Sequence, residues 1–120
     1  MRGEQYLTKN KQYEAVYHNG NYQAGKELVF RILPNGLDFS RCGIVVSRNV
    51  GKAVVRNKVK RRVREILGKI TLHPGFDIVV IARASAAEAK YSEIKKTAED
   101  ILLRAGLLAG EYEGSSSKTD

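Results

Sequence analysis

FDIVVIA, Phe76–Ala82, is apolar at every position but Asp77. A strand with one wet face alternates apolar and polar side chains. One that is apolar on both alternations is covered on both faces and lies centrally in its sheet. HPG, His73–Gly75, breaks the chain just ahead of it. A strand buried on both sides needs packing layers on both, so this stretch points to helices packed on a sheet.

Downstream, SAAE (Ser85–Glu88) has capping-box spacing. Beyond it Tyr91, Ile94, Ala98, Ile101, Leu102 and Ala105 recur at helical spacing, which predicts an amphipathic helix over the core. Upstream, RCGIVVS (Arg41–Ser47) and ELVFRIL (Glu27–Leu33, halted by Pro34) read as strands, with PNGLD supplying a turn. Adjacent in sequence, they suggest an antiparallel hairpin, with a further short strand over Asn21–Ala24. A first helix, capped by Thr8 or Asn10 and ended at Gly20, carries the stripe Tyr13, Val16 and Tyr17. Residues 1–9 read as loosely held, and GSSSKTD at the C-terminus as a disordered tail. The expected fold is α+β, an α/β sandwich of three helices on a four-stranded mixed sheet in the order α-β-β-β-α-β-α. A domain over residues 1–110 is followed by a tail over 111–120. A strand–helix–strand crossover between Val46 and Phe76 makes those two strands parallel if they share a sheet.

The helix in that crossover lies in VGKAVVRNKVKRRVREIL, Val50–Leu67. Nine of the chain's 21 Lys and Arg fall between Arg48 and Lys69, opposed only by Glu65. That segment carries a net +8, equal to the charge of the whole chain. At 100° per residue, Val59, Val63, Ile66, Leu67 and Ile70 fall within roughly 100° of arc, a core-facing stripe. Opposite stand Asn57, Arg61, Glu65 and Gly68. Arg56, Lys60 and Arg64 form one flank, and Lys58, Arg62 and Lys69 the other. Glu65 can pair with Arg61 or Lys69, relieving the repulsion only by tenths of a kcal/mol.

A run of charge is ordinarily a solvated face. Here the signs are not mixed, and the preceding SRNVGK adds Arg48, Lys52 and a glycine where backbone can approach a phosphate. Asn57 among the cations could bridge phosphate and base or order a hydrated metal. The pattern favours a polyanionic partner, nucleic acid ahead of anionic membrane. A strand, not a helix, precedes the basic helix, which weakens a helix-turn-helix reading.

The bulk properties agree with a cytosolic protein. The longest apolar runs are too short to span a bilayer, and no N-terminal segment joins a basic start to an apolar core. The single cysteine, Cys42, lies in an apolar strand without a nearby His, and reads as a small buried hydrophobe rather than a nucleophile. His18 and His73 read as surface or capping residues. No paired carboxylates stand at metal-ligand spacing, and no general base is evident.

GKAVVRNKVKRRVRE, Gly51–Glu65, resembles the arginine–asparagine signature of the bacterial ribonuclease P protein subunit family. NKQYEAVYHNG resembles the family's first helix, RCGIVVSRNVGK its strand and the loop before the basic helix, and GFDIVVIAR its final strand. The resemblance covers about residues 5–108. It implies a small basic protein, inactive alone, bound to a catalytic RNA that uses magnesium to remove the 5′ leader of precursor tRNA. No membrane and no obligatory protein partner are implied. It assigns Arg48, Lys52, Arg56, Asn57, Lys60, Arg61 and Arg64 to the catalytic RNA. Tyr13, Tyr17, Arg31 and Ser47 it assigns to a cleft for the single-stranded leader; without the resemblance, core packing is the favoured reading of the two tyrosines. Relatives often carry an aromatic where this chain has Arg31, and a second lysine near Arg48-Asn49. The resemblance also implies a left-handed crossover around the basic helix, where the general rule gives a right-handed one. A general RNA-binding or ribosome-associated module is the competing class. A protein-only nuclease lacks catalytic residues.

Overall fold

Along the chain run α1 (Asn10–Asn19), β1 (Asn21–Ala24), β2 (Leu28–Pro34), β3 (Arg41–Val46), α2 (Ala53–Gly68), β4 (Phe76–Ala82) and α3 (Tyr91–Arg104), in a computed structural model that describes residues 6–109. The element order is the one expected. The tail GSSSKTD lies outside the described residues. No helix among the described residues is long and apolar enough to cross a membrane.

The four strands form one mixed sheet in the order β1-β2-β4-β3. β4 is interior, antiparallel to β2 and parallel to β3, so FDIVVIA is the buried centre its composition demands. The expected hairpin between β2 and β3 does not form, because β4 lies between them. The hairpin is β1–β2 instead, with Tyr22 opposite Arg31. The reason lies in the β2–β3 connection. Asp77, at the start of β4 and 5% exposed, accepts two hydrogen bonds from Arg41, at 2.8 and 2.7 Å. The same carboxylate accepts one from Asn35 Nδ2 at 2.9 Å. The connection is thus tied across the end of β4 rather than folded back as a turn, and the paired carboxylate satisfies an otherwise costly buried charge.

Alternation along the strands divides the core. Phe30, Ile32, Ile78 and Val80 meet Val59, Val63, Ile66 and Leu67 of α2 and Ile94, Ala98, Ile101 and Leu102 of α3 on one face. On the other, Val79 meets Val16 of α1 and Leu7, flanked by Tyr13, Leu33, Val45 and Ile81. Cys42 is fully buried in the larger cluster, where desolvation pushes its thiol up to about 12. It is packing, as its surroundings in sequence suggest.

Three local expectations are corrected. Thr8 and Asn10 do not cap α1; Lys9 occupies the cap, and Gln12 Oε1 accepts from the Thr8 and Lys9 amides at 2.8 and 3.0 Å. SAAE does not open α3 but falls on a 3₁₀ turn at Ala84–Ala87, and the helix starts after Lys90, whose amide donates to Glu93 at 2.8 Å. Finally, of the stretch 1–9 expected to be loosely held, residues 1–5 lie outside the described residues and Tyr6–Lys9 is not loose: Leu7 is buried, and its amide donates to Cys42 O at 2.9 Å along the β3 edge.

Candidate nucleic-acid interface

α2 is held by its stripe. Burying Val59, Val63, Ile66 and Leu67 contributes roughly 6–12 kcal/mol of transfer free energy, an upper estimate. Four like-charge i,i+4 pairs (Lys52–Arg56, Arg56–Lys60, Lys60–Arg64, Lys58–Arg62) oppose it by roughly 1–2 kcal/mol together. Burial wins, so the helix tolerates a cationic face. Glu65 chooses Lys69, at 3.8 Å, the single ion pair on this helix among the described residues.

The two flanks, equivalent in the sequence, differ in the fold. One turns toward α3 and the turn before it: Arg62 donates to Ala89 O at 3.1 Å, and Lys69 Nζ sits 5.9 Å from the Tyr91 ring. The other, with Arg56, Lys60 and Arg64, turns toward β3 and the N-terminal segment. Arg61, Arg64, Lys58 and Asn57 are exposed, and Lys60 and Arg56 are half-buried. Arg56 Nε is buried without a protein partner, a donor left for water or a ligand oxygen.

Ahead of α2, Arg48–Val50 makes a 3₁₀ turn anchored by buried Val50, leaving Arg48 and Lys52 exposed. Gly51 is explained by backbone: its φ is 153°, and a Cβ there would lie 3.1 Å from the Val55 side chain. Lys52 caps α2 without a side-chain hydrogen bond, and no acid occupies the first turn. The positive end of the helix dipole therefore faces solvent among Arg48, Lys52 and Arg56, an arrangement that favours an anion.

The second surface is the sheet face under α1. Strand register places Tyr22, Arg31, Val79 and Gly43 in one row across it, and Ala24, Val29, Ile81 and Val45 in the next. Tyr17 and Arg31 come together: the guanidinium lies 5.8 Å from the Tyr17 ring and donates to Tyr17 O at 3.2 Å. Tyr17 is 38% exposed, so its ring is accessible to a stacking partner. Tyr13 is more committed. Its ring lies against Gly43, where a Cβ would stand 2.6 Å from ring carbon Cε1, and its hydroxyl donates to Leu7 O at 3.3 Å. Burial, then the neighbouring Tyr17, raises the Tyr13 phenol above its ordinary value. Ser47 shares the sheet face by parity but stands four residues past Gly43, about 13 Å along the strand. Its hydroxyl bonds Asn49 Oδ1, at the end of that face where β3 runs into the loop before α2.

Two tyrosines escaped the sequence reading. Tyr22, 54% exposed, also lies beside Arg31, its ring centre 5.1 Å from the guanidinium, so Arg31 has two aromatic neighbours with Tyr17. Tyr6 lies beside Arg64, the guanidinium 5.9 Å from its ring centre. Period-2 alternation in β1 could have flagged Tyr22; nothing local marks Tyr6. Among the described residues no three His, Cys, Asp or Glu side chains gather into a group that could hold a metal ion.

The family model described as Ribonuclease P matches residues 1–106. A ribonuclease P protein component from Dehalococcoides mccartyi is 40% identical over 120 residues, the full length of both chains. One from Shouchella clausii is 37% identical over 115 residues, covering 93% of this chain and 94% of that one. Among solved structures, the Staphylococcus aureus RNase P protein superposes with a TM-score of 0.79 at 32% identity, covering 88% of this chain and 98% of that one. The Thermotoga maritima RNase P protein gives 0.72 at 34% identity, with the same coverage of both chains.

Proposed function

Because the chain belongs to the ribonuclease P protein family, we propose that it is the RNA-binding subunit of a ribonucleoprotein that removes the 5′ leader of precursor tRNA. The carrying observation is the one-sided cationic ridge of α2, held over an apolar stripe and, among the described residues, nearly without acidic partners. Arg48, Lys52, Arg56, Asn57, Lys60, Arg61 and Arg64 bind phosphates of the catalytic RNA. Neutralising those phosphates releases counterions and supplies salt-dependent affinity without reading sequence. Tyr17 and Arg31, with Tyr13 behind them and Ser47 at the far end, take the unpaired leader. Stacking on an aromatic ring contributes about 1–3 kcal/mol per base and tolerates any base.

In this reading the RNA carries the reaction. Bound to that RNA, magnesium would supply charge stabilisation for phosphodiester hydrolysis. The protein lowers the magnesium needed by covering phosphate charge and fixing the leader beside the RNA. The test is cleavage of a leader-bearing tRNA by the catalytic RNA at limiting magnesium, with and without the protein. Acceleration by the protein, with no cleavage by the protein alone, supports the proposal. Identical kinetics with and without it would overturn it, and equal affinity for any structured RNA would favour a general RNA-binding module.

A further inference from the structure

We propose that the open edge of β3 carries a separate notch for one unpaired nucleotide of an RNA strand, its base against Tyr6 and its phosphate between Lys60 and Arg64. This rests on the RNA-binding reading above and adds a site to it.

β3 is an edge strand, and among the described residues the N-terminal segment bridges to it at Cys42 alone, where Tyr6 makes an isolated parallel bridge. Past that point opens a notch of about 200 Å³ bounded by Tyr6, Tyr13, Gly43, Ile44, Lys60 and Arg64. Its floor is set by the Tyr13 ring on Gly43 and by the tie from Tyr13 to Leu7 O at 3.3 Å. Because Cys42 O points outward to the Leu7 amide, the two-residue repeat of a strand turns the N–H and C=O of Ile44 the same way, toward the notch.

The lining selects the ligand. Among the described residues two cations and no acid face the opening, which calls for an anion. Two aromatic rings face it as well, which a bare anion would not use. A planar ring bearing a phosphate uses both, and the Ile44 backbone offers a donor and an acceptor to a base edge. The volume is below the roughly 300–1,000 Å³ of clefts that take drug-sized ligands, which suits a single base. Arg64 sits at the outer limit of cation–π contact with Tyr6 and is free to turn to a phosphate as a base stacks on the ring. The notch also lies between the two surfaces described, sharing Lys60 and Arg64 with the ridge and Tyr13 with the cleft. The nucleotide can belong to the catalytic RNA or to the leader, and the arms of the test separate these.

The full-length protein is compared with Tyr6→Leu, which keeps apolar packing but not the ring, and Tyr6→Phe, which keeps the ring. Affinity is measured for the catalytic RNA, and for leader-bearing and leaderless tRNA by the assembled particle. Tyr6→Leu should weaken at least one of these by about 5- to 150-fold, the loss of one stacked base, with Tyr6→Phe within about twofold of the parent. Loss with the catalytic RNA assigns the nucleotide to it; loss confined to the leader-bearing substrate assigns it to the leader. Tyr6→Leu within about twofold of the parent on every RNA, or equal losses in both variants, overturns the notch. A parent protein that binds none of the RNAs would instead sink the underlying reading, before any variant is compared.

Discussion

Replacing Arg61 and Arg64 together by alanine should flatten the salt dependence of catalytic-RNA binding by a calculable amount. Of nine cations between Arg48 and Lys69, Lys69 is paired with Glu65 and Arg62 is bound to Ala89 O, which leaves seven to meet phosphates: the six assigned to the catalytic RNA and their exposed neighbour Lys58. At about 0.7–0.9 units of slope per phosphate, the parent should show log K against log salt falling with a slope of about −5 to −6. Between 50 and 200 mM salt its affinity should drop about 1,000- to 6,000-fold. With two contacts removed the slope loses about 1.4–1.8 units, and the drop shrinks to about 100- to 500-fold. Both residues are exposed and alanine is the best helix former, so α2 should survive the change. Fluorescence anisotropy at fixed magnesium across a salt series reads the slope, and circular dichroism checks the helix. Lys95→Ala with Lys96→Ala, on exposed α3 positions, removes the same charge elsewhere and should leave the slope unchanged. An unchanged slope in the Arg61/Arg64 variant, or equal flattening in the α3 control, would refute the assignment of the ridge.

Three further outcomes follow from the packing. Gly43→Ala drives a methyl to 2.6 Å from the Tyr13 ring and should cost about 1–3 kcal/mol of stability. In a Tyr13→Ala background most of that cost should vanish, and urea denaturation of the four proteins checks the coupling. Asp77→Ala strips Arg41 and Asn35 of their shared acceptor and should destabilise by about 3 kcal/mol, with a loss under about 0.5 kcal/mol counting against the tie. The buried Cys42 thiol, pushed up to about 12 from 9.0, binds its proton more tightly folded than unfolded. Its contribution is full below pH 9 and is lost as pH rises toward 12, at about 1.4 kcal/mol per pH unit. Stability of the parent minus that of Cys42→Ala should fall over that window, and a flat difference would contradict the burial argument.

What the sequence made legible was whatever burial writes as a local pattern. FDIVVIA announced a strand covered on both faces, and the 3.6-residue stripe Val59, Val63, Ile66, Leu67 announced which side of the basic helix is held. Strand order was not legible in the same way. Neighbouring strands usually pair, and the device that sends β3 past β4 is an acid–arginine–amide tie, Asp77 to Arg41 and Asn35, between residues 36 and 42 positions apart. Nor could the sequence separate the two flanks of α2, since only the packed fold shows that Arg62 and Lys69 turn toward α3. The capping errors had a local cause: Ser85 and Glu88 have the right spacing, but the backbone there is a tight turn and Glu93 supports the helix start instead. Tyr17 and Arg31 were nameable from their family positions; Tyr22 and Tyr6 matter because the sheet and the N-terminal segment bring them beside Arg31 and Arg64.

The central claim, that one small basic fold holds catalytic RNA on α2 and an unpaired leader under α1, is tested most directly by shortening the leader. Affinity of the assembled particle would be measured for tRNA substrates whose leaders are trimmed one nucleotide at a time, for the parent and for Tyr17→Ala. The account predicts a stepwise loss in the parent as the leader leaves the cleft. It predicts a shallower series for Tyr17→Ala that is lower by about 5- to 150-fold on long leaders, with the two proteins meeting on mature tRNA. A parent indifferent to leader length, or a Tyr17→Ala deficit that persists undiminished on mature tRNA, would contradict it.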